Sequence, residues 1–333
     1  MPAPFARFTR LRSLAPPVTW AGAVAGLVAV AAAPPPAASV YRRRMPPAVA
    51  QAGERTAEES QAERIVAGSL LALDRADPFA ARIRQKARIG DRVLTGPGRY
   101  VQAGTGEERR YRFESQLECT TDRRDDVPRP ESFELLEVCD GLFAWGYRRN
   151  GVEPPALSRI DVRRIRDRLE QLQPGEQDSA ARYLGGLQRS LWTVREWFRF
   201  VSAEPADLDG TQAWRIEGRW DAEKLAVMLP DLAEAARRPG GVEPRELPDG
   251  VPWCVRLWIG RGDLLPRRVE WLAIPGARPA AAAAAPEPIA VLDVFDVEVG
   301  GRVDPANFFY KPAGVGLMDV TEQHAKTLRT WRP

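Results

Sequence analysis

The sequence predicts an α+β fold, mainly β: one large, curled antiparallel sheet of about eleven strands, its apolar face covered by three or four helices. Three observations lead there. Stretches in which apolar and charged residues alternate recur from Phe79 to Val299. Short turn signals such as Gly90-Asp91, Gly104-Thr105-Gly106 and Asp140-Gly141 join them, where parallel strands would need crossover helices. The helical patterns are few, and they alone could cover the sheet's apolar side.

The chain opens with Arg7, Arg10 and Arg12 ahead of an uncharged run, Val18 to Ala33, followed by small residues at Ala31-Ala32-Ala33 and Ala37-Ala38-Ser39. That order is the pattern of a secretory signal peptide. Arg42, Arg43 and Arg44 just beyond it leave an uncleaved N-terminal anchor as the alternative. Either reading of residues 1–39 makes the protein exported, periplasmic or of the cell envelope, with 40–55 a polar linker. The first cysteine is Cys119, so the segment offers no cysteine for lipid attachment.

Thr56 with Glu59 has the spacing of a capping box, and Ala62, Ile65, Val66, Leu70 and Leu73 follow at helical intervals. From Phe79 the period becomes two: Ile83, Gln85, Ala87 and Ile89 alternate with Arg82, Arg84, Lys86 and Arg88. One side of that strand faces water. Val93 to Ala103 forms the second strand, with a bulge or bend at Gly96-Pro97-Gly98. Tyr111, Phe113, Leu117 and Cys119 share a face of the third, and Phe133 to Cys139 forms the fourth after a Pro- and Asp-rich loop. Phe143, Trp145 and Tyr147 alternate in the next, and 155–160 adds another.

Helical spacing returns in an insertion at about 161–196, with Val162, Ile165, Leu169 and Leu172, then Tyr183, Leu187, Leu191 and Val194 around Gly185-Gly186. Strands resume at Trp197-Phe198 and at Trp214, Ile216 and Gly218. Asp221 caps a helical stretch to Arg237 that Pro230 splits. Val255, Leu257 and Ile259 form one strand and Val269 and Trp271 the next, joined by a hairpin turn at Gly260 to Asp263. An Ala/Pro loop, 275–288, has no ordering period. Ile289, Val291, Asp293, Phe295, Val297 and Val299 alternate most cleanly of all, and a tail helix covers about Asp319 to Thr330.

Composition excludes several functions. Of 333 residues 44% are hydrophobic and 28% charged, a globular balance. Three of the 48 bases lie in the first 39 residues, and the remaining 45 match the 45 acids, so the folded part lacks the basic excess that nucleic-acid binding requires. His324 is the only histidine, and it sits in the tail helix, which leaves catalytic triads poorly supplied. Asp125-Asp126 lies in a Pro-rich turn, and the Arg261-Gly262-Asp263 triplet belongs to a hairpin turn. The glycine pairs at 185–186, 240–241 and 300–301 follow no strand-to-helix phosphate loop. Neither a cofactor nor a metal is implied, and the protein is expected to be non-enzymatic. Cys119, Cys139 and Cys254 cannot all pair, and a 108–121/132–139 hairpin sets Cys119 opposite about Glu134, which argues against a Cys119–Cys139 bridge.

Two segments resemble a known family. VCDGLFAWGY, Val138 to Tyr147, is similar to the Asp-Gly then Trp-x-Tyr hairpin of the LolA-like periplasmic lipoprotein carriers and envelope sensors. VDPANFFYKPAGVGLMDVT, Val303 to Thr321, resembles that family's closing motif. The leading helix and the Arg82 to Gln102 hairpin fit its opening order. The resemblance implies an unclosed β-barrel over residues 56–333, a half-barrel with helices as a lid over an apolar cavity that holds acyl chains of a lipid or lipoprotein. The chain departs from the carriers in the 161–196 insertion and the 275–288 loop.

Eight tryptophans, Trp145, Trp192, Trp197, Trp214, Trp220, Trp253, Trp258 and Trp271, fall within the sheet-and-lid region, as core or as cavity lining. Alternation selects Phe113, Leu117, Trp145, Trp214, Ile216, Leu257, Trp271 and Phe295 as the residues facing the cavity. The function expected is that of a non-enzymatic periplasmic binding protein for acyl chains, in contact with membranes only transiently or through an uncleaved N-terminal segment. The alternative is a structural or protein-interaction module of the cell envelope whose concavity is filled by its own side chains.

Overall fold

The computed structural model describes residues 57–90, 92–121, 131–151, 153–172, 185–274, 285–312 and 316–330. The expected signal segment and linker, the Asp125-Asp126 turn and most of the Ala/Pro loop lie outside them.

The fold is mainly β: among the described residues twelve strands form a single open sheet, antiparallel but for one edge pair, with several helices. Helix α1 (Ala57–Arg75) leads into the hairpins β1 (Phe79–Ile89), β2 (Arg92–Ala103), β3 (Arg110–Thr121), β4 (Glu131–Cys139), β5 (Phe143–Asn150) and β6 (Ala156–Asp161). Helices α2 (Val162–Leu172) and α3 (Gly186–Trp197) follow, then β7 (Phe198–Leu208) and β8 (Thr211–Trp220). Next come α4 (Ala222–Met228), α5 (Ala233–Ala236), β9 (Cys254–Gly260), β10 (Pro266–Ala273), β11 (Glu287–Val299), β12 (Leu317–Asp319) and α6 (Thr321–Thr330).

Strand order is β12-β6-β5-β4-β3-β2-β1-β11-β10-β9-β8-β7. Two meanders therefore meet where β1 pairs with β11, and the helical insertion carries the chain from one edge of the sheet to the other. The count exceeds the expected eleven because of β12. This three-residue strand pairs in parallel with β6 and lies within the closing motif, too short to show a period. Asp319 secures it: the carboxylate accepts from Arg159 at 2.7 Å and from the Thr321 amide at 3.1 Å. Strand β11 begins at Glu287, inside the loop expected to reach 288. Asp221 caps α4 by accepting from the Glu223 and Lys224 amides, and a 3-10 turn at Pro230–Leu232 splits that stretch as the proline requires.

One core runs along the sheet. Ile83, Ile216, Val255 and Leu257 pack in a cluster with Val66, Leu70 and Leu73 of α1 and Leu187, Leu191 and Val194 of α3. Both helices therefore bury their apolar stripe on the same side of the sheet. The register places Cys119 opposite Glu131 rather than Glu134, and Cys139 opposite Tyr111. All three cysteines are buried, and none is in a disulfide.

Candidate functional site

In an antiparallel sheet, residues directly opposite one another share a face, so the register fixes which side chains look toward the helices. Ile216 stands opposite Leu257, Leu257 opposite Val269, Val269 opposite Leu292, and Leu292 opposite Gln85. Trp214 is level with Ile259, and Trp271 with Val255 and Ala290. On the other meander Phe113 is level with Tyr100 and Glu137, and Leu117 with Phe133. Phe113, Leu117, Trp214, Ile216, Leu257 and Trp271 therefore lie on the helix-covered face, and all six join the same apolar cluster.

Trp145 and Phe295 lie on the opposite face. Gly146 is the residue level with inward Glu137, so Trp145, one position before it, points outward. There its ring lies 5.8 Å from Tyr310 and 5.9 Å from Phe143, with the Arg159 guanidinium over the Phe143 and Trp145 rings. Phe295 is level with outward Arg82, is 36% exposed, and has the Arg84 guanidinium 5.6 Å from its ring centre. In both strands the two phases are apolar, and the larger side chains took the outer one. Ala144 and Gly146 face inward on β5, and Ala290, Leu292 and Val294 on β11. Asp293, in phase with Phe295 and paired with Arg84, marked the solvent side.

Of the eight tryptophans only Trp271 is fully buried. Its Nε1–H has no hydrogen-bond partner among the described residues, nor has the hydroxyl of Ser69 on α1. One inward polar pair crosses the apolar face, Ser115 Oγ donating to Gln85 Oε1 at 2.8 Å. The other inward polar side chains, Gln102, Glu137 and Arg148 among them, lie on the β2–β5 half of the sheet.

Polar groups gather where the helices are fastened. Gln102, wholly buried, donates from Nε2 to the carbonyls of Leu73 at 2.8 Å and Ala76 at 2.9 Å, while its Oε1 accepts from the Tyr100 hydroxyl at 2.9 Å. One side chain thus satisfies two carbonyls at the α1 C-terminus. Arg109, buried just before β3, pairs with Asp74 of α1 and donates to Gln188 of α3. Glu137 Oε2 accepts the Gly186 amide, first of α3, at 3.0 Å. Burial lifts the Glu137 carboxyl to about 7, against the opposing pull of that hydrogen bond and of Arg189.

Gly185 and Gly186 have φ of 137° and 70°, a region that disfavours side chains. A Cβ on Gly185 would stand 2.2 Å from the Tyr111 hydroxyl and 2.9 Å from Glu137 Oε2. The glycine pair is what lets the helix start press onto the sheet. Sequence patterns could have marked these glycines as a required close approach. Arg109 and Glu137 look like ordinary surface charges in alternating strands, and nothing in the pattern singled them out.

His324 is half-buried in α6, and no group of three metal-ligating side chains occurs among the described residues. The Gly260 to Asp263 segment is a hairpin turn, closed by the Gly260 amide donating to the Leu265 carbonyl at 2.9 Å. No helix among the described residues is long and apolar enough to cross a membrane.

The site is thus a seam between an open antiparallel sheet and two helices, apolar within and fastened by polar groups at one end. No family model matches the chain, and no curated protein matches it. It is similar to solved structures. LprF from Mycobacterium bovis has 12% identity and a TM-score of 0.33, covering 78% of this chain and 99% of that one. A DUF1329 family protein from Desulfovibrio piger has 12% identity and a TM-score of 0.30, covering 77% and 98%. A LolA superfamily protein from Nitrosomonas europaea has 14% identity and a TM-score of 0.24, covering 75% and 97%. The LolA-like fold is among these matches, and the likeness is one of fold alone.

Proposed function

We propose that the protein is a non-enzymatic, exported, periplasmic binding protein that takes up an acyl chain of a lipid or lipoprotein between the sheet and helices α1 and α3. The observation that carries this reading is the division of the seam. Its interior is an almost continuous apolar surface, from Trp214 and Ile216 across Leu257 and Trp271 to Phe113 and Leu117. The groups that hold the helices down, Gln102, Arg109 and Glu137, are polar and sit at the α1 C-terminus and the α3 N-terminus.

A lid fastened by a few polar contacts swings without dismantling the sheet. An alkyl chain then needs only a dry slot, since each buried CH₂ contributes about 0.8 kcal/mol. The unpaired Trp271 Nε1–H supplies a donor inside that slot, suited to an ester or carboxyl oxygen. Native mass spectrometry of protein from a membrane-containing host, with a fluorescent fatty-acid titration, tests the reading. Co-purifying lipid or saturable uptake is expected; neither appearing would remove it.

A second reading has an observation of its own. Ile83, Ile216 and Val255 are 0% exposed and Leu257 and Trp271 1%, as in a finished core. An envelope interaction module of the same fold, with the seam filled by its own side chains, fits that packing. It predicts no uptake at any lipid concentration.

A further inference from the structure

Glu137 is a carboxylate 4% exposed, on the apolar side of the sheet, against the first turn of a twelve-residue helix. One oxygen accepts the Gly186 amide, and the other, Oε1, has no hydrogen-bond partner among the described residues. The surroundings give it little room, with the glycine pair closely apposed to the rings of Tyr100 and Tyr111. A charge here is held by one hydrogen bond, the helix N-terminus and one cation, and is otherwise stripped of water.

We propose that Glu137 is a proton-operated latch on α3: protonated, it lets the helix start lie closed against β3 and β4; ionised, it drives that end of the lid open to rehydrate the carboxylate. The latch stands on the packing around α3. Its role in releasing a guest rests on the acyl-carrier reading above.

The groups around Glu137 keep their charge while it titrates. Tyr100 of β2 and Tyr111 of β3 are pushed upward by burial and by Glu137 itself, so both stay neutral. Cys139, two residues along β4, is raised to about 11 by burial. Arg189 of α3 is cationic throughout, as is Arg109, which is paired with Asp74 of α1. Arg148 of β5 is on the same face, level with Leu135, and is cationic as well. The carboxyl is thus the group in this cluster that changes charge between pH 5 and 8.

With the helix seated, burial holds the Glu137 carboxyl at about 7; on the latch reading, rehydration in the open state returns it toward the ordinary carboxylate range. A raised acid means that the closed state binds the proton more tightly. The advantage of closure is full below pH 4.5 and is lost as pH rises through 7.

Hydrogen exchange of the full chain, followed by mass spectrometry over the α3 peptides and corrected for intrinsic rates, reads this directly. Protection is expected to fall on the order of a hundredfold between pH 4.5 and 7.5. In Glu137→Gln it stays high and flat with pH. In Arg189→Ala, which removes a cation favouring the ionised form, the fall moves to higher pH. A pH-independent wild type, an unchanged fall in Glu137→Gln, or an unmoved midpoint in Arg189→Ala each overturns the latch. Should Glu137→Gln not fold, Arg189→Ala decides alone. Fatty-acid uptake measured on the same samples separates the two claims, because pH-dependent protection without uptake removes the carrier and leaves the latch.

Discussion

Arg109 and Asp74 form an ion pair that joins sheet to lid: the arginine side chain is 6% exposed just before β3, and the aspartate, 33% exposed, sits in the last turns of α1. The same guanidinium reaches Gln188 of α3, so one cation holds both covering helices.

Removing one partner of such a pair leaves the other desolvated and alone. Arg109→Met is expected to cost about 2–3 kcal/mol, below the range for a fully buried pair because Asp74 retains some solvent. Asp74→Asn, which keeps a hydrogen-bond acceptor, should cost about 1 kcal/mol. Urea denaturation of both variants and the double mutant gives the coupling, expected to be nonzero because the residues touch. Additive losses would mean that the contact does not fasten the lid.

The two faces of the sheet should respond very differently to truncation. Trp271→Ala opens a cavity in the packed seam and is expected to cost about 3–5 kcal/mol. Phe295→Ala, on the solvent face beside Arg84, should stay within about 1 kcal/mol. Thermal or urea melts compare the two. A heavier loss at Phe295 would reverse the assignment of faces.

That assignment also measures what the sequence could tell. The hairpin order was legible because a half-buried strand alternates, and β1 does so with four cations on one side. β5 and β11 were not, because both phases are apolar and size is a poor guide to direction: Trp145 and Phe295 look outward while Ala144, Gly146 and Ala290 look in. The fastening groups were least legible. Arg109, Gln102 and Glu137 acquire their roles only when strands far apart in sequence bring helix termini over them, and charge alone carries no record of that.

Gly96 allows β2 to lie close to β3. A Cβ there would stand 1.9 Å from the Gln116 carbonyl oxygen, a backbone atom unable to swing aside. Gly96→Ala is therefore expected to cost more than about 2 kcal/mol despite adding a single methyl group. Denaturant midpoints check it, and a variant as stable as the parent would mean that the strands separate freely.

The thiols should be silent in the folded protein. Burial raises Cys139 and Cys254 to about 11, so both remain protonated at pH 8, and Cys119 is buried as well. A chromogenic disulfide reagent at pH 8 is expected to react with none of the three until denaturant is added, and then with all. Rapid labelling of the native protein would contradict the packing of β3, β4 and β9.

The central claim is that a guest chain lies between the sheet and its two helices. A fatty acid bearing a photoactivatable diazirine near its tail, irradiated with the full-length protein and mapped by peptide mass spectrometry, tests it most directly. Adducts are predicted on the inward strands and the helices over them, around Phe113, Leu117, Ile216, Leu257 and Trp271. Labelling confined to the outward face around Trp145 and Phe295, or saturating nowhere, would contradict it.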